Sequence, residues 1–143
     1  MVPEQLRLFV EREGRPPGQH EQAALLQRQV DAERQALDSG ARWVVSDAGA
    51  LMTAVYSTVY FDDRSLLARA AAHHRNACRA TLWCDVDGPW IPDPGQRDGP
   101  EVRGLTHRTI AVVLAEFDVP ATVVGGDLQT RLRLSRSVLA QQR

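Results

Sequence analysis

Apolar positions recur along this chain in two rhythms, one near 3.6 residues and one confined to short β-branched runs. Over residues 4–12, Leu6, Phe9 and Val10 share a helical face while Glu4, Arg7 and Glu11 lie elsewhere, which predicts an amphipathic helix. The run Gly14-Arg15-Pro16-Pro17-Gly18 stops it. Ala23, Leu26, Val30 and Leu37 then predict a longer helix over residues 21–37, ended by Asp38-Ser39-Gly40. Trp43, Val44 and Val45, followed by Ser46 and Asp47, predict a short buried strand with a polar exit. Leu51, Ala54, Val55 and Thr58 predict a helix over 50–60. Ser65 is placed to cap a helix reaching His74, and residues 80–85 read as the next strand. A helix over 100–117 turns Val102, Leu105, Ile110, Val113 and Leu114 inward. Residues 120–124 form a third strand, Gly125-Gly126 a turn, and 127–141 a final helix.

Strands alternating with helices predict an α/β domain with a parallel sheet. The strands exit at Asp47, Asp85 and Gly125, and in such sheets ligands bind beyond the carboxyl ends of the strands. No repeats, low-complexity segments or linkers interrupt the pattern.

Composition narrows the function classes. With 143 residues, 43% hydrophobic and 24% charged, the chain fits one globular domain. A formal net charge of -1 argues against a nucleic-acid or anionic-membrane binder. All 17 Lys and Arg positions are arginine, which excludes any chemistry needing a lysine from this chain. Cys78 and Cys84 have no metal-ligand spacing and read as buried structural thiols of a cytoplasmic protein. No apolar run approaches the ~20 residues of a membrane span.

The candidate chemistry centres on residues 83–100, where an apolar strand ends in Asp85 and Asp87 and enters a loop framed by Pro and Gly. Asp47 has two readings: a strand-end carboxylate that orders Mg²⁺ or its water, or a helix N-cap. Arg97 reads as a phosphate contact from a lid, assisted by Arg103, or as a surface partner of Asp93, Asp98 or Glu101. Trp90 either stacks on a flat ring or anchors the loop. Asp85, Asp87 and Asp93 are candidates for ribose-hydroxyl or metal contacts, although Asp87-Gly88-Pro89 is equally turn chemistry. His73 and His74 are adjacent on a helix, point about 100° apart and cannot chelate together. His20 and His107 read as surface residues.

Several blocks taken in order carry a family resemblance. They are Val2-Pro3-Glu4 to Arg7-Leu8-Phe9, the strand ending at Asp47, Leu51-Met52-Thr53-Ala54-Val55-Tyr56, and Asp85-Val86-Asp87. The most specific continues with Pro89-Trp90-Ile91-Pro92-Asp93 and Gly95-Gln96-Arg97-Asp98-Gly99. Together they resemble the nicotinamide-riboside kinase domain of the bacterial NAD-biosynthesis regulator and related P-loop AAA-type ATPase domains, over nearly the whole chain. The resemblance implies a parallel-sheet, three-layer P-loop kinase-like fold. It also implies transfer of the γ-phosphoryl of ATP, with Mg²⁺, to the 5′-hydroxyl of a nucleoside-type acceptor. Asp47 would hold the metal and Arg97 would stabilise the transferring group. Glu4, Arg7, Trp90 and Asp93 would contact the small-molecule substrate.

The chain departs from that family in two ways. The family's first strand, phosphate loop and first helix would precede Glu4, so the fold is expected to lack them here. That strand normally lies between the strands of residues 42–47 and 80–85, which would otherwise stand ~9–10 Å apart, twice the usual spacing. Each unpaired backbone group along such a gap costs about 1–3 kcal/mol. An earlier natural start, closure of the strands, or a second chain in the slot would each remove this cost; the first is the expectation adopted. Weak or absent ATP binding by these 143 residues follows. Secondly, an Asp-Thr-Asp pattern common in the family stands here as Asp47-Ala48-Gly49. Two other classes of function remain alongside: a non-catalytic nucleotide or metabolite sensor, and an interaction module or homodimer pairing through an open sheet edge.

Overall fold

The helical periodicities become six helices in the computed structural model, which describes residues 1–91 and 99–142. Helix α1 (Gln5–Glu13) buries Phe9 and ends at Gly14, whose φ of 66° suits a residue without a side chain. Helix α2 (Gln19–Asp38) starts slightly earlier than its apolar pattern predicts. The Glu21 carboxylate accepts from the Gly18 N–H at 2.8 Å and fixes that start. The Arg15 guanidinium grips the same carboxylate through two bonds of 2.8 and 2.9 Å. Bonded to Arg15 and to Gly18, Glu21 titrates at about 2.

Helix α3 (Gly49–Phe61) is apolar nearly all round, and it lies in contact with α2, α4 (Leu67–Ala77) and α5 (Pro100–Glu116). The core therefore forms on α3: Leu51, Ala54 and Val55 meet Leu26 and Val30 of α2, Leu67 and Ala70 of α4, and Val113 of α5. Helix α6 (Leu128–Ala140) starts at Asp127, whose carboxylate accepts from the Thr130 N–H at 2.8 Å. No helix among the described residues is long and apolar enough to cross a membrane.

Strand β1 (Leu82–Cys84) pairs in parallel with β2 (Thr122–Val124), Trp83 opposite Val123. A separate parallel bridge joins Val2 to Ser46, with Val2 N–H donating to Val45 O at 2.7 Å and Asp47 N–H to Val2 O at 3.0 Å. Residues 45 and 47 thus face Val2, so Val44 and Ser46 turn their backbone groups the other way. By the same alternation Thr81 and Asp85 bond toward β2, and Leu82 and Cys84 face away from it. Among the described residues no strand joins the two pairs.

Several expectations are corrected. Among the described residues the sheet is two-stranded, with a separate Val2–Ser46 bridge in place of a third paired strand. The predicted strand at 43–47 is not buried: Trp43 is 42% and Val45 56% exposed, because among the described residues only Val2 pairs with this segment. Helix α2 buries Gln22, Leu25, Gln29 and Glu33 along with Leu26 and Val30, and leaves Ala23 and Leu37 outside. Leu105 is exposed on α5. Ser65 does not cap α4; Leu66 takes that position, and Asp63 accepts the Ser65 N–H at 2.9 Å. Cys84 is exposed, whereas Cys78 is half-buried and burial pushes its thiol up to about 11. His107 is half-buried, its ring stacked on Trp83 with centroids 4.5 Å apart.

Candidate functional site

The extended segment ending at Ser46 meets α3 through a left-handed turn, with φ of 58° at Ala48 and 44° at Gly49. Ala48 is the N-cap and has no side-chain bond to give. The cap comes instead from α2, where the Glu33 carboxylate is 6% exposed. Its Oε1 accepts from the Ala50 N–H at 3.1 Å and from Ser46 Oγ at 2.6 Å. A carboxylate at that place also meets the positive end of the α3 dipole. Asp47 is therefore not the helix cap, and it stays exposed at the carboxyl end of the bridged segment. Gly49 suits the same arrangement through its φ of 44°, a conformation that side chains rarely adopt.

The partner strand residue, Val2, leads through Pro3 into Glu4, the N-cap position of α1. Glu4 is half-buried, and burial lifts its carboxyl above the ordinary carboxylate range. The negative charge of Asp47 lifts it further, while Arg7 pulls it back. Three predicted site residues, Glu4, Arg7 and Asp47, thus share one electrostatic neighbourhood at the carboxyl ends of the bridged segments.

A second group gathers at the carboxyl ends of β1 and β2. The Asp87 carboxylate accepts from the Gly126 N–H and pairs with Arg131 of α6. The Gly126 bond first, and Arg131 after it, hold Asp87 below the ordinary range. Arg131 also donates to Val124 O and Gly126 O at 2.9 and 2.8 Å and to Asp85 O at 3.3 Å, tying both strand ends. Gly125 packs closely beside this clip: a Cβ there would lie 3.0 Å from Asp87 Oδ2, so the carboxylate would have to shift. Asp87 is accordingly a turn-holding residue. Asp85 lies 3.7 Å from His107 Nε2.

Of the loop residues, Arg103 donates to Gly88 O at 2.9 Å and so pins the loop base to α5. Trp90 is half-buried. Asp93 and Arg97 lie outside the described residues.

The periodicity reading missed the polar face of α2. Gln29 Nε2 donates to Glu33 Oε1 at 3.2 Å and to Ser46 Oγ at 3.1 Å. Gln29 Oε1 accepts from the Gln5 N–H at 2.9 Å. His73 Nε2 lies 2.6 Å from Glu33 Oε2, and His74 Nε2 lies 2.7 Å from Thr81 Oγ1, so the two histidines serve different partners. Each donor of this network left unpaired would cost about 1–3 kcal/mol. The available signal was the spacing of Gln22, Gln29 and Glu33, which keeps the phase of Leu26 and Val30. A groove of about 490 Å³ opens elsewhere, between α2 and α4, lined by Arg34, Arg69, His73 and Asn76. Its His73 is the residue that bonds Glu33. Among the described residues no three His, Cys, Asp or Glu side chains cluster as a metal cage.

A family model described as an AAA domain matches residues 1–131. No curated protein and no solved structure matches the chain.

Proposed function

The chain belongs to the AAA domain family, and from that premise we propose that it handles a Mg²⁺-bound nucleotide at the carboxyl ends of its strands. The finer reading is a kinase domain that moves a phosphoryl group from ATP to a nucleoside-type hydroxyl, as in ribosylnicotinamide kinases. The observation that carries it is the convergence of Glu4, Arg7 and Asp47 at the bridged strand ends.

The donor set suits the metal. Mg²⁺ takes hard oxygen ligands, needs only one or two carboxylates and keeps several waters. Asp47 is exposed enough to supply one, and Glu4, destabilised as an anion by burial and by Asp47, would gain from a nearby cation. When bound, the metal would neutralise charge on the transferring phosphate. Asp47 would orient that metal, and Arg7 would offset the negative charge brought by the substrate. With no lysine in the chain, phosphate oxygens would be met by arginines and backbone N–H groups. Binding by these residues alone is accordingly expected to be weak.

Isothermal titration with ATP, with and without Mg²⁺, tests the reading. Binding should require Mg²⁺ and weaken at least ~10-fold in Asp47→Asn, equivalent to about 1.4 kcal/mol. Metal-independent binding that survives Asp47→Asn would sink it. Gly49, in place of a second carboxylate, favours a sensor as the second reading. Incubation with ATP and nicotinamide riboside divides the two, since a sensor binds without forming phosphorylated product.

A further inference from the structure

Gln29 and Glu33 stand one turn apart on the buried face of α2, 1% and 5% exposed, and each reaches a different half of the candidate site. Gln29 Oε1 takes the Gln5 N–H at 2.9 Å, immediately after Glu4 and within a turn of Arg7. Glu33 Oε1 takes the Ser46 hydroxyl at 2.6 Å and the Ala50 N–H at 3.1 Å, on either side of Asp47. The two are bonded to each other at 3.2 Å, and Gln29 also donates to Ser46 Oγ at 3.1 Å. Gln29, Glu33 and Ser46 therefore form a closed ring of side chains beneath both halves. The remaining Glu33 oxygen is taken by His73 at 2.6 Å.

We propose that Gln29 and Glu33 are positioning residues, setting the separation of Asp47 from Glu4 and Arg7 while touching no ligand themselves. The inference rests on the reading of those three residues as the site. Leucines at the two α2 positions would bury the face at lower cost, since polar groups there stabilise only when every partner is in place. What leucines could not do is hold a left-handed turn and the start of a separate helix in one register. Distance alone would leave Asp47 free to swing, because its own segment is bridged through Val2 and is exposed on its other side. The three bonds to Glu33 Oε1 remove that freedom.

Carboxyl-detected NMR titration of the full chain tests this, with Asp47→Asn introduced into each background. In the parent, Asp47→Asn should lower the Glu4 midpoint, because it removes the neighbouring negative charge. The lowering should vanish in Glu33→Ala and shrink in Ser46→Ala. It should return in Glu33→Gln, whose amide oxygen still accepts from Ala50 and Ser46; that rescue separates positioning from mere support of the fold. If Glu33→Ala does not fold, Ser46→Ala and Glu33→Gln decide. An undiminished lowering in folded Glu33→Ala or Ser46→Ala overturns the proposal. ATP titration with Mg²⁺ on the same proteins keeps the two ideas apart. Loss of the Glu4 response in the Glu33→Ala and Ser46→Ala backgrounds, with a parent that binds no nucleotide, supports positioning and removes the nucleotide reading. Nucleotide binding with an unchanged response removes positioning alone.

Discussion

Glu4 carries a raised carboxyl pKa because it is half-buried and faces the negative Asp47. Folding therefore favours its protonated form. Stability is unaffected by this group below the ordinary carboxyl range and declines as pH rises through the raised value. Glu4→Gln removes that penalty, so pH-resolved thermal denaturation should show the variant melting higher than the parent near pH 7 and equally near pH 3. Asp87 runs in the opposite sense. Its lowered pKa means that its contribution is present at neutral pH and is lost as pH falls through the lowered value. Glu4, Arg7 and Asp47 were singled out in the sequence, but their proximity was not legible there. Glu4 and Asp47 lie far apart in sequence, and the Val2–Ser46 bridge and the Gln29–Glu33 network bring their segments together. Glu33 was invisible as a cap because it acts on α3 from another helix.

At the scale of elements, α3, α5 and α6 were legible because their apolar spacing or end signals are local. Helix α2 was legible in extent and wrong in phase. The pattern counted Ala23 and Leu37, whereas the packed face includes three polar side chains that a hydrophobic stripe cannot register. The observed phase makes a quantitative prediction. Leu26→Ala should cost about 2–5 kcal/mol in urea denaturation, because Leu26 is fully enclosed by α3 and its neighbours. Leu37→Ala, at 44% exposure, should stay within about 0.5 kcal/mol. Equal costs at the two positions would restore the original stripe. The strands were legible as β-branched runs, yet their burial was not, since burial depends on neighbours that lie elsewhere in the chain.

For the molecule as a whole, the parallel pairings belong to two separate units, and each leaves an edge unpaired among the described residues. Val44, Ser46, Leu82 and Cys84 direct their N–H groups to those edges. In native-state hydrogen exchange their amides should be far less protected than those of Asp85 and Thr122, which bond across β1 and β2 at 2.9 Å. Matching protection at all six positions would contradict open edges. Protection at the edge amides that rises with protein concentration would instead mark pairing between copies.

The Arg131 clip has a practical consequence for redesign of this chain. Its guanidinium is a fastener, holding Asp85 O and Asp87 after β1 and Val124 O and Gly126 O at the end of β2, yet it sits in the first turn of the last helix. Shortening from the carboxyl end is thus a threshold matter, not a gradual one. Removing the final turns of α6 trims a surface helix with no buried residue, whereas a cut that reaches Arg131 unlaces the end of the sheet. Tags and fusions are best joined beyond Ala140, with that fastener left closed.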